Sequence, residues 1–520
     1  MMSMKQIRAG VLLLCGLGLY STCATPTALP SARPVSPPPV VPVATPSTAP
    51  VKPVAQYWAG RTDLIRSPAP PLASELALPH VERWKLDNGL EVVVVPRSTL
   101  PIVSFSMAIK AGGYDEQRDQ NQGIADFTAA MLRKGTRRRT ADAISRTIDF
   151  VGGALDANAG NEHSNLNCSV LAKDSSLCLD LMSDVLLNPT FPEAELPEVR
   201  DQLLAALAAR ADDPHQLTSE QLDKLIFGDA HPDGWILQPA HVRAISRAKI
   251  DAFWKSFYRP NNAILAVAGD VDVAKIRAAV TKAFSRWKAG PVPPRPNFQI
   301  PEARPTRVLL IDKPDLSQST LAFGHRGLRH ADPDWYAATL VNYVLGGSDF
   351  SSRLMIEVRS KRGLTYGIGS SFGASLYEGA FRVSAAPRNE AVGEALSVSV
   401  AELRKMRESG PTSAELAKAK GYYAGSTPLA LESAAGLSGS LVAAALHGLG
   451  VDYVKRLAVD LSAVTDAAAT TAARRWLRPD DLSVVIMGRA DVVRPQLDKA
   501  HVPYDTIDYR TLLDGATPRD

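Results

Sequence analysis

Cysteine is scarce: four in 520 residues. None forms a Cys-x-x-Cys, so neither a dithiol redox pair nor a zinc ribbon is indicated. No two of the nine histidines (80, 163, 215, 231, 241, 325, 330, 447, 501) stand three or four apart. No helix can therefore offer a histidine pair to a metal on one face. His163 beside Glu162 is the one close histidine–carboxylate neighbour, and adjacent residues do not share a face. There is no G-x-S-x-G elbow and no G-x-x-x-x-G-K-[ST] phosphate loop. No segment beyond the N-terminal stretch runs to eighteen uninterrupted apolar residues, the length a membrane helix needs. Charge of one sign is also lacking. The net charge is +4, and the densest basic spot, Arg137-Arg138-Arg139, reads as a solvated loop. Nucleic-acid binding, which needs a concentrated basic face, is not expected.

What is present is ordinary globular composition, 45% hydrophobic and 22% charged, enough for two or three domains. Lys5 and Arg8 precede the apolar stretch Ala9 to Tyr20, and small residues follow. That is the pattern of a secretory signal over 1–24, so an exported protein of the bacterial periplasm or envelope is expected. Cys23 is open to lipidation, which would tether the chain to a membrane; Leu19-Tyr20-Ser21-Thr22 before it matches a lipobox poorly. Residues 25–80 are rich in proline, as at Pro37-Pro38-Pro39, and read as an extended disordered spacer. Cys168 and Cys178 flank a short turn at Lys173-Asp174-Ser175. A disulfide and two buried free thiols are both open, and the reading leans to the thiols.

The body divides at a second proline cluster (Pro291, Pro293, Pro294, Pro296) into halves at 81–290 and 304–505, with a linker at 291–303 and a tail at 506–520. The halves look duplicated. Arg259-Pro260-Asn261-Asn262 leads into an apolar run ending at Gly269. Arg478-Pro479-Asp480-Asp481 leads into another ending at Gly488, at an offset of 219. Each follows an aromatic-bearing helix, with Trp254 or Trp476. Strands are expected at 90–95, 102–109, 165–171, 307–312 and 318–324. Helices are expected at 123–133, 140–151, 176–187, 193–211, 334–345, 351–361, 391–407 and 413–446. Strands and helices do not alternate one for one. The expected class is α+β: two tandem homologous domains, each a largely antiparallel sheet with helices on one face.

Several motifs carry a resemblance. Leu86-Asp87-Asn88-Gly89-Leu90-Glu91-Val92, Gly123-Ile124-Ala125 through Gly135-Thr136, Asn188-Pro189-Thr190-Phe191, His231-Pro232 and Tyr258-Arg259-Pro260-Asn261-Asn262 together resemble the insulinase/pitrilysin-type peptidases, the group that includes the mitochondrial processing peptidase. The resemblance spans about 81 to 500. It implies a zinc site built on H-x-x-E-H. Histidines at i and i+4 share a helical face, the glutamate acts as general base, and a glutamate from a later helix is the third ligand. Here those places hold Asp126, Ala129 and Ala130, with Ala206 most simply at the distant ligand. No zinc is expected in this chain.

Arg359-Ser360-Lys361-Arg362-Gly363-Leu364-Thr365-Tyr366 is similar to the motif of the family's second type of domain. The resemblance implies that Arg359 binds peptide and that the Tyr366 hydroxyl donates to a developing oxyanion. Arg362 is a rival for the arginine role. The expected function is a non-catalytic subunit of a heteromeric zinc metallopeptidase, paired with a chain that keeps H-x-x-E-H and its zinc, acting on a peptide. The alternative is a structural or peptide-binding scaffold of the same fold.

Overall fold

The computed structural model describes residues 73–76, 80–298, 301, 306–373 and 375–513. The expected signal, Cys23 and most of the spacer lie outside the described residues, as do parts of the expected linker and tail.

The first half forms a six-stranded sheet from β1 (Glu82–Lys85), β2 (Glu91–Pro96), β3 (Ile102–Ile109), β4 (Ala154–Ala159), β5 (Ser164–Leu171) and β6 (Ala263–Gly269), in the order β1-β2-β6-β3-β5-β4. The second half repeats it with β7 (Arg307–Asp312), β8 (Thr320–Arg326), β9 (Thr365–Phe372), β10 (Ala380–Pro387), β11 (Ser483–Gly488) and β12 (Tyr504–Asp508), in the order β12-β7-β11-β8-β10-β9. Five of the six positions correspond, as duplication requires; the sixth does not, because edge strand β1 runs antiparallel to β2 whereas edge strand β12 runs parallel to β7. Both are mixed and mainly antiparallel. In the first, only β2–β6 is parallel. In the second, β7–β11 and β7–β12 are.

Among the helices are α1 (Ile124–Leu132), α2 (Ser175–Leu187), α3 (Leu196–Ala209), α4 (Pro214–Phe227), α5 (Trp335–Asn342), α6 (Val392–Ser409), α7 (Ser413–Ala430) and α8 (Ala434–Leu446). β6 and β11 are apolar on both faces and buried throughout, so each sheet must be covered on both sides. Each half's own helices cover one side. The other side is covered by exchange. Leu217, Leu222, Ile226 and Phe227 of α4 pack on Ile311, Ala322, Val485 and Met487 of the second sheet. Leu437, Leu441, Val442 and Ala444 of α8 pack on Val93, Val95, Ala108, Ala266 and Ala268 of the first.

Two expectations are corrected. The helical stretch 413–446 is two helices, bent by 112° across Leu431–Ser433. Pro428 weakens the end of α7, and the Ser433 hydroxyl caps α8 by accepting from Gly436 N. The bend sends α8 across to the first sheet. Cys168 and Cys178 are joined in a disulfide, not left as thiols. Cys168 lies on β5, and the 172–174 turn folds α2 back over it, which leaves the two Cα atoms 5.9 Å apart.

Buried His325 makes a testable link between fold and pH. It is 3% exposed and lies stacked on Phe381 at 5.0 Å. Its Nε2 accepts from Arg478 N at 3.1 Å and its Nδ1 lies 2.8 Å from Arg326 O. That pattern requires the neutral ring with the proton on Nδ1. Burial pushes its pKa down to about 4. The unfolded chain takes up a proton below pH 6.5 and the folded chain does not, so this stabilisation is present above 6.5 and is lost as pH falls towards 4. Glu116 and Asp126 are shifted the opposite way, to about 8 and about 6, so the slope of the native chain mixes several groups. The clean readout is a difference. On going from pH 7 to pH 5, native protein is expected to lose about 2 kcal/mol more than His325→Gln. Denaturant melts at both pH values measure it. Parallel slopes for the two proteins would rule the assignment out.

Candidate functional site

The first group of residues sits on α1. The helix begins at Gly123, whose φ of 85° suits glycine. Buried Glu116 accepts from Gly123 N at 2.7 Å and Ala125 N at 2.9 Å, which satisfies two free amides of the helix start. Asp126, Ala129 and Ala130 share one face by their i, i+3, i+4 spacing. Ala129 is fully buried, Ala130 is half-buried against the first core, and Asp126 is exposed. Ala206 is an exposed residue of α3, which packs on α1. The four positions are thus on neighbouring helices.

Burial pushes the Asp126 carboxyl up to about 6, against a pull downward from the Ala159 amide. The carboxyl is crowded by protein although the residue as a whole keeps contact with water. It is the sole candidate ligand among the four, and three methyl groups offer no lone pairs. Among the described residues no three His, Cys, Asp or Glu side chains converge as a metal site. These residues do not fit catalytic zinc, which needs three protein ligands.

The second group is on the other half. Ser348 closes a π-helical turn, Tyr343–Gly347, and a second π-helical turn, Met355–Ser360, carries Arg359. Gly363, at φ 62°, stops it, with Gly363 N donating to Arg359 O at 2.8 Å. Tyr366 is the second residue of edge strand β9. Arg359 and Tyr366 are brought together: the guanidinium carbon lies 5.1 Å from the tyrosine ring centroid. Among the described residues Arg359 has no ion pair, and nothing hydrogen-bonds the Tyr366 hydroxyl. The rival, Arg362, is engaged. It donates to Glu357 Oε2 at 2.7 Å and to Glu357 O at 2.8 Å. Tyr366 is 77% exposed and borders a cleft of about 470 Å³. Gly367, Gly369 and Ser384 line it, and so does His215 of α4. The cleft therefore runs between elements of both halves.

Sequence reasoning missed two residues here. His215 shows no signal, because only the fold brings the start of α4 to β9. Phe350 lies 4.5 Å from the Arg359 guanidinium, ring centroid to carbon. Its signal was a large apolar residue in a turn of Gly, Ser and Asp.

Comparisons with known proteins match most of the chain. Residues 92–239 match the family described as insulinase (peptidase family M16), and residues 244–423 match the peptidase M16 inactive domain. An uncharacterized zinc protease of Streptomyces coelicolor is 30% identical over 441 residues, 82% of this chain and 92% of its own. One of Mycobacterium tuberculosis is 32% identical over 372 residues, 71% of this chain and 83% of its own. The crystal structure of a peptidase M16 inactive domain from Pseudomonas fluorescens superposes with a TM-score of 0.74 at 27% identity, covering 79% of this chain and 98% of that one. With relatives aligned over most of their length and the same duplicated sheets, the chain belongs to the insulinase family, peptidase family M16.

Proposed function

We propose that this chain is the zinc-free subunit of a two-chain peptidase. Its partner carries H-x-x-E-H and the metal, and this chain supplies peptide-binding and oxyanion contacts through Arg359 and Tyr366. One contrast carries the reading. The metal positions hold Asp126, Ala129, Ala130 and Ala206, whereas, among the described residues, half-buried Arg359 has no ion pair and the hydroxyl of exposed Tyr366 no hydrogen-bond partner. A scaffold has no use for an unpaired guanidinium beside an unbonded phenol.

The body comprises domains at 81–290 and 304–505 joined by the 291–303 linker. The site of action is the periplasm or envelope. The signal pattern at 1–24 supports that, and so does the Cys168–Cys178 disulfide, since disulfides persist in oxidising compartments. Lipidation at Cys23 would hold the complex at a membrane.

The test is reconstitution. The isolated chain is expected to hold no stoichiometric zinc after loading and desalting, and to cleave no peptide. Purified from its native envelope, it is expected to bring down a chain with H-x-x-E-H, and that complex cleaves. One tightly held zinc per isolated chain, or peptidase activity without a partner, would overturn the reading. Stable capture of proteins without H-x-x-E-H would favour the scaffold.

A further inference from the structure

The Arg359 guanidinium lies over two aromatic rings, 4.5 Å from the centroid of Phe350 and 5.1 Å from that of Tyr366. Phe350 is 68% exposed. It gains little from burial there, so its place needs another reason. Its turn is held firmly on both sides. Ser351 and Ser348 hydroxyls lie 3.1 Å apart, and Ser352 Oγ donates to Asp349 O at 3.2 Å. Arg353 forks onto Glu415 at 2.8 and 2.6 Å and donates to Gly410 O at 3.1 Å. Gly346 packs directly on β9: a Cβ there would fall 2.5 Å from Ser370 Oγ and 2.7 Å from Ser370 N. The phenylalanine turn and the tyrosine strand are therefore fixed to one another, with the arginine in reach of both rings.

We propose that Phe350 is a positioning residue for Arg359. A carboxylate would orient a guanidinium by taking up its N–H groups, as Glu357 does for Arg362. An aromatic face holds the flat face of the cation instead and leaves the in-plane donors free. Phe350 thus keeps Arg359 oriented and still available to peptide acceptors. The inference rests on the peptide-binding reading given above.

The experiment compares Phe350→Leu with Phe350→Tyr. Leucine removes the π face; tyrosine keeps it. The position is exposed, so neither should disturb folding. The first readout needs no partner. In ¹⁵N-arginine-labelled chain, the Arg359 Hε resonance is expected upfield by ring current, to move downfield in Phe350→Leu, and to return in Phe350→Tyr. The second uses the native complex and a library of internally quenched peptides. Phe350→Leu is expected to raise KM two- to five-fold at constant kcat, the usual scale of an exposed cation–π contact, and Phe350→Tyr to restore it. An unmoved Arg359 resonance, or equal KM values for the Leu variant and native protein, overturns the proposal. Failure of the underlying reading looks different: Arg359→Lys would itself leave KM unchanged.

Discussion

Tyr366→Phe is expected to lower peptide turnover by the native complex on the order of 10²-fold, the cost of losing one oxyanion donor. The substitution removes one hydroxyl and almost no volume. The side chain is 77% exposed and, among the described residues, its hydroxyl has no hydrogen-bond partner, so no buried interaction is lost and folding should hold. Arg359→Lys keeps the charge but loses the planar fork, so it should raise KM more than it weakens assembly. Arg362→Lys is the control. Its guanidinium is already engaged by Glu357 at an exposed site, and exposed pairs contribute little. Peptide hydrolysis and a pull-down of the two chains, run side by side, separate chemistry from association. Full activity in both Tyr366→Phe and Arg359→Lys would remove these residues from the mechanism and leave the chain as a wall of the chamber.

The limits of the sequence can be read from particular elements. β6 was legible because Ala263 to Ala268 is apolar without a break and is framed by Pro260 and Gly269. The duplication was legible because a helix stop, a buried strand and a glycine recur in order. β4 was not, since an edge strand reading Ala-Leu-Asp-Ala-Asn-Ala shows half its residues to water and lacks β-branched side chains. The 431–433 break was hidden for another reason. Leu431-Glu432-Ser433 itself holds no glycine or proline; the signals that could have shown the break are Pro428 just before it and the Ser433 cap that marks the restart. No helix was expected at α4, and α8 was expected only as the end of one long helix, so the packing of each on the other half's sheet stayed hidden. At the site, the resemblance placed Asp126, Ala129, Ala130, Ala206, Arg359 and Tyr366. The aromatic partner of Arg359 was invisible, because a nine-residue separation across a π-helical turn corresponds to no face of a regular helix.

The double variant Cys168→Ala, Cys178→Ala is expected to lower stability by roughly 3 kcal/mol, the loop-entropy figure for a closed loop of about ten residues. Both residues are buried, at 1% and 0% exposure, so replacement by alanine adds no polar group to the core and leaves only a small loss of volume. The bridge ties β5 to α2 within the first half's core, and the effect should be local to that half. The size of the melting shift depends on how much unfolds at once. If the first half melts alone the midpoint falls by about 6–12 °C; if the exchanged helices α4 and α8 make both halves melt together, the same free energy is spread over a larger entropy and the fall is about 3 °C. Calorimetry of native and variant chains thus measures the bridge and the coupling of the halves in one experiment. Alkylation of the unfolded, unreduced native chain, followed by peptide mapping, supplies the control. Equal midpoints, with Cys168 and Cys178 both alkylated, would mean that the thiols never pair, and the argument for an oxidising compartment would lose its structural half.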